Sequence, residues 1–391
     1  MLRRRSQLGA SVSPCGRCDD IVMIPVNAPL LTGNEKAYLA ECIETGWISS
    51  EGPFVTRLEQ GVARRCERHH GIAVTNGTAA LELAVAALGL DPGDEVILPT
   101  FTIISCAAAI VRAGAVPVVV DSDAVTWNMD VAQVEAAVTE RTRAIMVVHI
   151  YGLPVDMDPI LRLAEKHGLK IIEDAAEAIG QTYRGRPCGS FGDISVLSFY
   201  PNKHITTGEG GMVLTDDHAL AERCRSFRNL CFQKRRYVHE ELGWNFRMSN
   251  LQAAVGVAQL EQLDDFLRRK RANGAALSAA LAGIPGLQLP LAGADYAQNV
   301  YWAYGVVLND DVPFDAEEAM ARLAKLGVAT RAFFWPMHEQ PVFRRMGLFA
   351  DVRCPAAERL ARRGFYLPSG IGLTGEQIVT VGAACAGMLA A

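Results

Sequence analysis

From Ile24 onward the chain alternates short apolar runs with stretches of helix length, and this alternation restricts the fold more than any other feature. Glu95–Leu98, Val118–Val120, Ala144–His149 and Lys170–Glu173 read as strands, with Ala79–Leu90 and Pro159–His167 as helices among them. Strands spaced by helices in this way predict an α/β domain around a mostly parallel sheet. After Gly180 the β-like runs Ile194–Tyr200 and Gly211–Thr215 flank a Thr- and Gly-rich loop, so the sheet is expected to finish in a hairpin-like arrangement. One helical segment is expected from Asn250 to about Leu281, rich in Ala, Leu, Glu and Arg and free of proline. Beyond it, strands Val300–Leu308 and Val328–Phe334 and a last helix, opened by Thr374 with Gln377 at capping-box spacing, predict a smaller α+β domain. The expected division is a disordered, basic extension (1–22), a large domain (23–262) and a small C-terminal domain (263–391).

Composition removes several classes of function. At 391 residues the chain can bury a core without staples. A net charge of -5 argues against an affinity built on neutralising nucleic-acid phosphates. Cys42, Cys66, Cys106, Cys224 and Cys385 stand singly in hydrophobic segments, the pattern of buried thiols in a reducing, cytoplasmic setting. Cys15 and Cys18 have C-x-x-C spacing, but no second pair at zinc-site spacing accompanies them, so no metal is expected. The opening MLRRRSQ lacks the apolar stretch of a signal peptide, and Ala79–Leu90 is too short to span a bilayer, so no membrane association is expected.

Three motifs carry chemistry. Thr75-Asn76-Gly77-Thr78 opens a helix after an apolar run, which puts the backbone N–H groups of Gly77 and Thr78 where an anion binds, or where a plain strand-to-helix turn forms. Ile171-Ile172-Glu173-Asp174 ends a buried strand in acid; Asp174 either caps the next turn or faces a ligand beyond the sheet's carboxyl edge, such as a pyridinium nitrogen. Lys203 follows the run ending Ser198-Phe199-Tyr200 and precedes Thr206-Thr207-Gly208-Glu209-Gly210-Gly211, a setting in which a lysine is partly desolvated and its amine nucleophilic. No G-x-x-x-x-G-K-[ST] or G-x-G-x-x-G spacing is present, which disfavours a nucleotide P-loop and a nicotinamide oxidoreductase. A phosphate cradle, an acid for a ring nitrogen and a downstream lysine are together the parts of a pyridoxal phosphate (PLP) site.

With those residues in place, the sequence resembles the sugar aminotransferases of the DegT/DnrJ/EryC1/StrS family from Ile24 to its end. The resemblance rests on GWISSEGPFV (46–55), AVTNGTAALELA (73–84), ILPTFT (97–102), VHIYGLPVDM (148–157), IIEDAAEA (171–178), SFYPNKHITTGEGGMV (198–213), NFRMSNLQAA (245–254) and FFWPMHEQPVF (333–343). It implies a fold type I PLP-dependent transferase, like aspartate aminotransferase, in which Lys203 carries the cofactor and shuttles a proton while Asp174 faces the ring nitrogen. Gly77, Thr78 and Ser198 would hold the phosphate, joined by Asn245 from a partner subunit, so a homodimer with shared sites is implied. His149, Glu177 and Arg247 would surround the ring or substrate, and Trp47, Ser49, Ser50, Glu51 and His338 would line the sugar pocket. Ile103 stands where many relatives stack an aromatic on the ring, and Glu177 where many have glutamine; a carboxylate there prefers a proton or a cationic neighbour. The implied reaction moves the amino group of L-glutamate through pyridoxamine phosphate to a keto-sugar nucleotide, first among them GDP-4-keto-6-deoxymannose. Other UDP- or dTDP-linked keto sugars, cyclitol ketones and a non-catalytic sensor remain alternatives. A related dehydratase branch has histidine in place of the lysine, and His204 stands one residue from Lys203.

Overall fold

A computed structural model describes residues 23–235 and 237–390. The 1–22 extension, and Cys15 and Cys18 with it, lie outside the described residues. The first sheet has seven strands in the order His70–Val74, Gly211–Thr215, Ile194–Ser198, Lys170–Asp174, Thr142–Val148, Glu95–Pro99 and Val116–Val120. Only Gly211–Thr215 runs against the others. That strand does form a hairpin-like pair with Ile194–Ser198, but it does not finish the sheet. It lies between Ile194–Ser198 and the edge strand His70–Val74, pairing with both.

The helices follow from their apolar spacing. Gly77–Leu88 buries Ala79, Ala80, Leu81, Leu83, Ala84, Val85 and Ala87, apolar nearly all round, and it is enclosed between the sheet and neighbouring helices. It starts two residues before its first apolar position because the Asn76 side chain caps it, accepting from the Ala79 N–H at 2.8 Å. Met157–His167 buries Met157, Ile160, Leu163 and Ala164, a single stripe, against the other part of the sheet. The eight cysteines among the described residues are all buried and unpaired. No helix of the described residues is long and apolar enough to cross a membrane.

The single helix expected from Asn250 to Leu281 is two, Asn250–Leu260 and Leu263–Leu281. At the break the Gln262 N–H tightens onto the Gln259 carbonyl, and its side chain reaches Thr32 and Glu35. The first helix then packs on Glu35–Thr45 and Pro53–Arg65, and the second on Gly375–Ala390. The last helix begins as expected, with reciprocal bonds between Thr374 and Gln377.

A second sheet of four antiparallel strands follows, ordered Leu287–Gln288, Tyr304–Leu308, Gly364–Leu367 and Arg331–Ala332. The strand expected over Val300–Leu308 begins only at Tyr304, because Tyr301 adopts φ 52° and turns the chain. Val328–Phe334 contributes just Arg331–Ala332, while Val328 bridges in parallel to Ile24.

Asn250 fixes the segment before Pro53. Fully buried, it donates to the Trp47 carbonyl at 2.7 Å, accepts from the Phe54 N–H at 2.8 Å, and its own N–H reaches the Ser49 carbonyl. Asn250→Ala keeps the backbone bond but strands the Trp47 carbonyl and the Phe54 N–H, and is expected to destabilise the fold by about 2–3 kcal/mol in urea unfolding. It should also raise proteolytic cleavage between residues 46 and 52.

Candidate active site

The parallel strands end along one edge, and the chemistry-bearing residues collect there. Val74 leads into Asn76, Gly77 and Thr78; Asp174 and Ser198 are the last residues of their strands. Together they line a cavity of about 450 Å³ with Ile103, Glu177 and Lys203. Gly77 sits so close to the neighbouring strand end that a Cβ on it would lie 2.8 Å from Cβ of Ser198. The first N–H groups of a helix have no intrahelical acceptor, so those of Gly77 and Thr78 remain available to an anion. The Thr78 hydroxyl pairs with that of Ser105 at 2.8 Å.

Adjacent acids at the end of Lys170–Asp174 point to opposite sides. Glu173 is fully buried beneath the cavity and accepts from the Gly189 and Phe191 N–H groups at 2.7 and 2.8 Å and from Ser195 Oγ at 2.9 Å. Burial pushes its carboxyl up, but those donors and His149 reverse the shift and hold it below the usual range. Asp174 faces the cavity. One oxygen accepts from the Ala176 N–H at 3.0 Å, so it also caps the turn, and the other accepts from Cys106 Sγ at 3.3 Å. Burial raises its carboxyl despite those bonds and the nearby Lys203.

Lys203 reaches into the same space with its side chain 11% exposed. Its Nζ is 3.5 Å from Oε1 of Glu177 and 4.0 Å from the ring centre of Trp302. Glu177 also accepts from the Tyr151 N–H at 2.9 Å, yet burial dominates and pushes its carboxyl up to about 7. His204, one residue on, is buried and does not line the cavity. Burial and the charges of Lys270, Lys203 and Arg271 hold its imidazole far below the ordinary value, so the lysine and not the histidine is presented.

Several expected residues lie elsewhere. His149 is fully buried outside the wall, its Nδ1 accepting from the Val155 N–H and its Nε2 3.0 Å from Glu173. Alternation along the strand explains it, since the preceding Val148 takes the cavity side. His338 is also fully buried, 2.7 Å from Thr100 Oγ1 and 3.2 Å from Glu358, because the turn Met337–Glu339 rotates it inward. It does not line the cavity, whereas Phe334 of the same segment does. Arg247 bridges Val74 through its backbone and bonds Asn229 Oδ1 at 2.5 Å. Trp47, Ser49, Glu51 and Asn245 are exposed and Ser50 is half-buried, all away from this chain's cavity.

The wall missed in the sequence comes from the second sheet: Trp302, Arg331, Phe334 and Tyr366. These stand in or beside short strands without a readable pattern. Asn202 and Tyr200 also line the cavity, and both lie in the SFYPNK run that places Lys203.

Comparison with known proteins agrees with this geometry. The pattern of the DegT/DnrJ/EryC1/StrS aminotransferase family matches residues 29–386, and the chain belongs to that family. A protein named GDP-perosamine synthase in Caulobacter vibrioides is 43% identical over 366 residues, covering 93% of this chain and 98% of that one. The GDP-perosamine synthase of Escherichia coli O157:H7 is 42% identical over 359 residues, covering 92% and 96%. The crystal structure of DesV from S. venezuelae superposes with a TM-score of 0.83 at 37% identity, over 90% of this chain and 93% of that one.

The enzyme is therefore a PLP-dependent aminotransferase, and its cavity fits that cofactor. The helix-start N–H groups of Gly77 and Thr78, the Ser198 hydroxyl, the buried Asp174 carboxyl and the shielded Lys203 amine border one space, a donor and acceptor set that suits a phosphorylated pyridine aldehyde.

Glu177 supplies a pH test. Its folded value of about 7 exceeds the ordinary 4.5, so between those values the folded protein keeps a proton that the unfolded chain has released. Stability should thus fall as pH rises through that window and stay low above it. Glu177→Gln in cofactor-free protein is expected to gain about 1–3 kcal/mol over the parent at pH 8 and almost nothing at pH 4.5, measured by thermal unfolding.

Proposed function

We propose that this enzyme transfers the amino group of L-glutamate to a keto-sugar nucleotide, with GDP-4-keto-6-deoxymannose as acceptor and GDP-perosamine as product. The observation that carries the transfer chemistry is the Lys203 amine, shielded in the cavity that Asp174 also lines. The choice of sugar follows the two relatives at 43% and 42% identity over more than nine-tenths of the chain, both named for GDP-perosamine.

Bound PLP supplies an electron sink that makes the C–H next to the transferred nitrogen acidic. The chain's own residues do the rest. Gly77, Thr78 and Ser198 take the phosphate, and the Asp174 carboxylate keeps the ring nitrogen protonated. Lys203 Nζ would give and take the proton at the reacting carbon in both halves of the reaction. Glu177, 3.5 Å away, is the carboxyl with which that amine would exchange a proton. Ile103 packs an aliphatic side chain on the cavity where an aromatic ring would stack.

A homodimer completes the reading. Asn245 and the Trp47–Glu51 segment lie outside their own cavity, and Ile43, Trp47 and Ile48 expose large apolar surface, 66%, 50% and 49% respectively. Such a patch suits a second copy, whose cavity these residues would reach. The reading also divides the chain near residue 262 and places the enzyme in the cytoplasm.

The test is a panel of keto-sugar nucleotides given to the purified holoenzyme with L-glutamate, with products followed by mass spectrometry. GDP-4-keto-6-deoxymannose should turn over fastest; a faster UDP- or dTDP-linked ketone would replace the sugar assignment. Lys203→Ala should lose about 10³-fold or more in turnover, and a variant at the parental rate would sink the role of that lysine.

A further inference from the structure

Behind the cavity wall lies a lysine that the reaction above does not use. Lys270 sits on the helix Leu263–Leu281 and is 4% exposed, and no carboxylate among the described residues pairs with it. Its Nζ donates instead to two backbone carbonyls, Trp302 at 2.9 Å and Ser369 at 2.5 Å. Trp302 comes two residues before the strand Tyr304–Leu308, and Ser369 two after Gly364–Leu367. Those strands pair with Tyr304 opposite Leu367, so one ammonium fastens both chains at the same end of the second sheet.

An unpaired ammonium is a costly tenant of a protein interior, and burial pushes this one down to about 7. A hydrophobic side chain of similar length would fill the space at lower cost. Polar groups kept at such expense cluster where geometry matters to function.

What Lys270 holds is Trp302. The indole covers Lys203, whose Nζ lies 4.0 Å from its centre, and it stacks on Tyr151 at 5.9 Å. Trp302 Nε1 has no hydrogen-bond partner, so the polar edge of the ring does not anchor it. Its place depends on ring packing and on the backbone that Lys270 grips.

We propose that Lys270 is a positioning residue for amino transfer: by pinning the Trp302 carbonyl it holds the Trp302 indole against the amine of Lys203. The proposal rests on the reading of Lys203 as the reacting amine. The ring sets how far that amine is shielded from water and which way it points, and a cation over an indole face is attracted to it.

A double-mutant cycle tests it, with Lys270→Met, Trp302→Leu and the pair together in the full-length enzyme. The first readout needs no cofactor: the rate at which acetic anhydride labels Lys203, followed by peptide mass spectrometry across pH. Lys270→Met and Trp302→Leu should each speed that labelling by a similar factor, and the double variant should match Trp302→Leu alone. In the holoenzyme Lys270→Met should lower kcat by about 10-fold with KM for the sugar nucleotide nearly unchanged, again without adding to Trp302→Leu. Lys270→Arg, which keeps donors for both carbonyls, should recover most of the loss. If Lys270→Met fails to fold, Lys270→Gln, with a donor still on its amide, takes its place in the cycle. Additive effects, or unchanged labelling of Lys203 in Lys270→Met, would overturn the proposal. Failure of the underlying reading shows separately, as activity that survives Lys203→Ala.

Discussion

The arrangement depends on a carboxylate that takes no part in the chemistry. Glu173, next to last in its strand, is fully buried, and its two oxygens gather two backbone N–H groups, a serine hydroxyl and the imidazole of His149. An unpaired carboxylate there would cost several kcal/mol, so the donors are held in place as firmly as the acid is. Arg68, itself buried, ties the same turn from below through the carbonyls of Gly189, Phe191 and Gly192 and through Ser195 Oγ. With Glu173 fixed on one side of the strand, Asp174 is forced to the other, toward the cavity. The alternation of a β-strand thereby turns a structural anchor into the aim of a functional side chain.

Around Asp174 the cavity is made by two unlike supports. The first sheet offers backbone: a helix start, two strand ends and the loop that presents Lys203. The second offers side chains, chiefly aromatic, which close over the lysine. Aromatic contact links the two, since Tyr151 at the edge of the first sheet lies within 6.0 Å of Phe101, Trp302, Phe333, Phe334 and Tyr366. Polar selectivity from one support and water exclusion from the other suit a site that must move protons between a nitrogen and a carbon.

The first support was legible in the sequence and the second was not, for physical reasons. Strands buried within the sheet are largely apolar runs, and each of the six expected through Gly211–Thr215 exists, with ends shifted by no more than a residue or two. Gly77, Asp174, Ser198 and Lys203 carry local signals because a turn, a strand end and a glycine-rich loop all mark themselves in residue type. The position of Gly211–Thr215 between two strands distant in sequence has no such mark. Nor has the break at Gln262, where the helix yields to side chains from residues 32 and 35. His149 and His338 drew attention as chemically versatile residues, but their ring nitrogens are committed to partners within the protein. Trp302 and Arg331 reach the cavity from a bent lead-in and a strand of two residues, where periodicity has nothing to report.

The roof over Lys203 also has a place in time. Every residue of the first sheet precedes Asp216, whereas Trp302, Arg331, Phe334 and Tyr366 are the last of the wall to be made. A chain emerging from the ribosome therefore has Gly77, Thr78 and Lys203 before it has the residues that cover them. During that interval the aromatic rings that later border the cleft on that side have yet to be made.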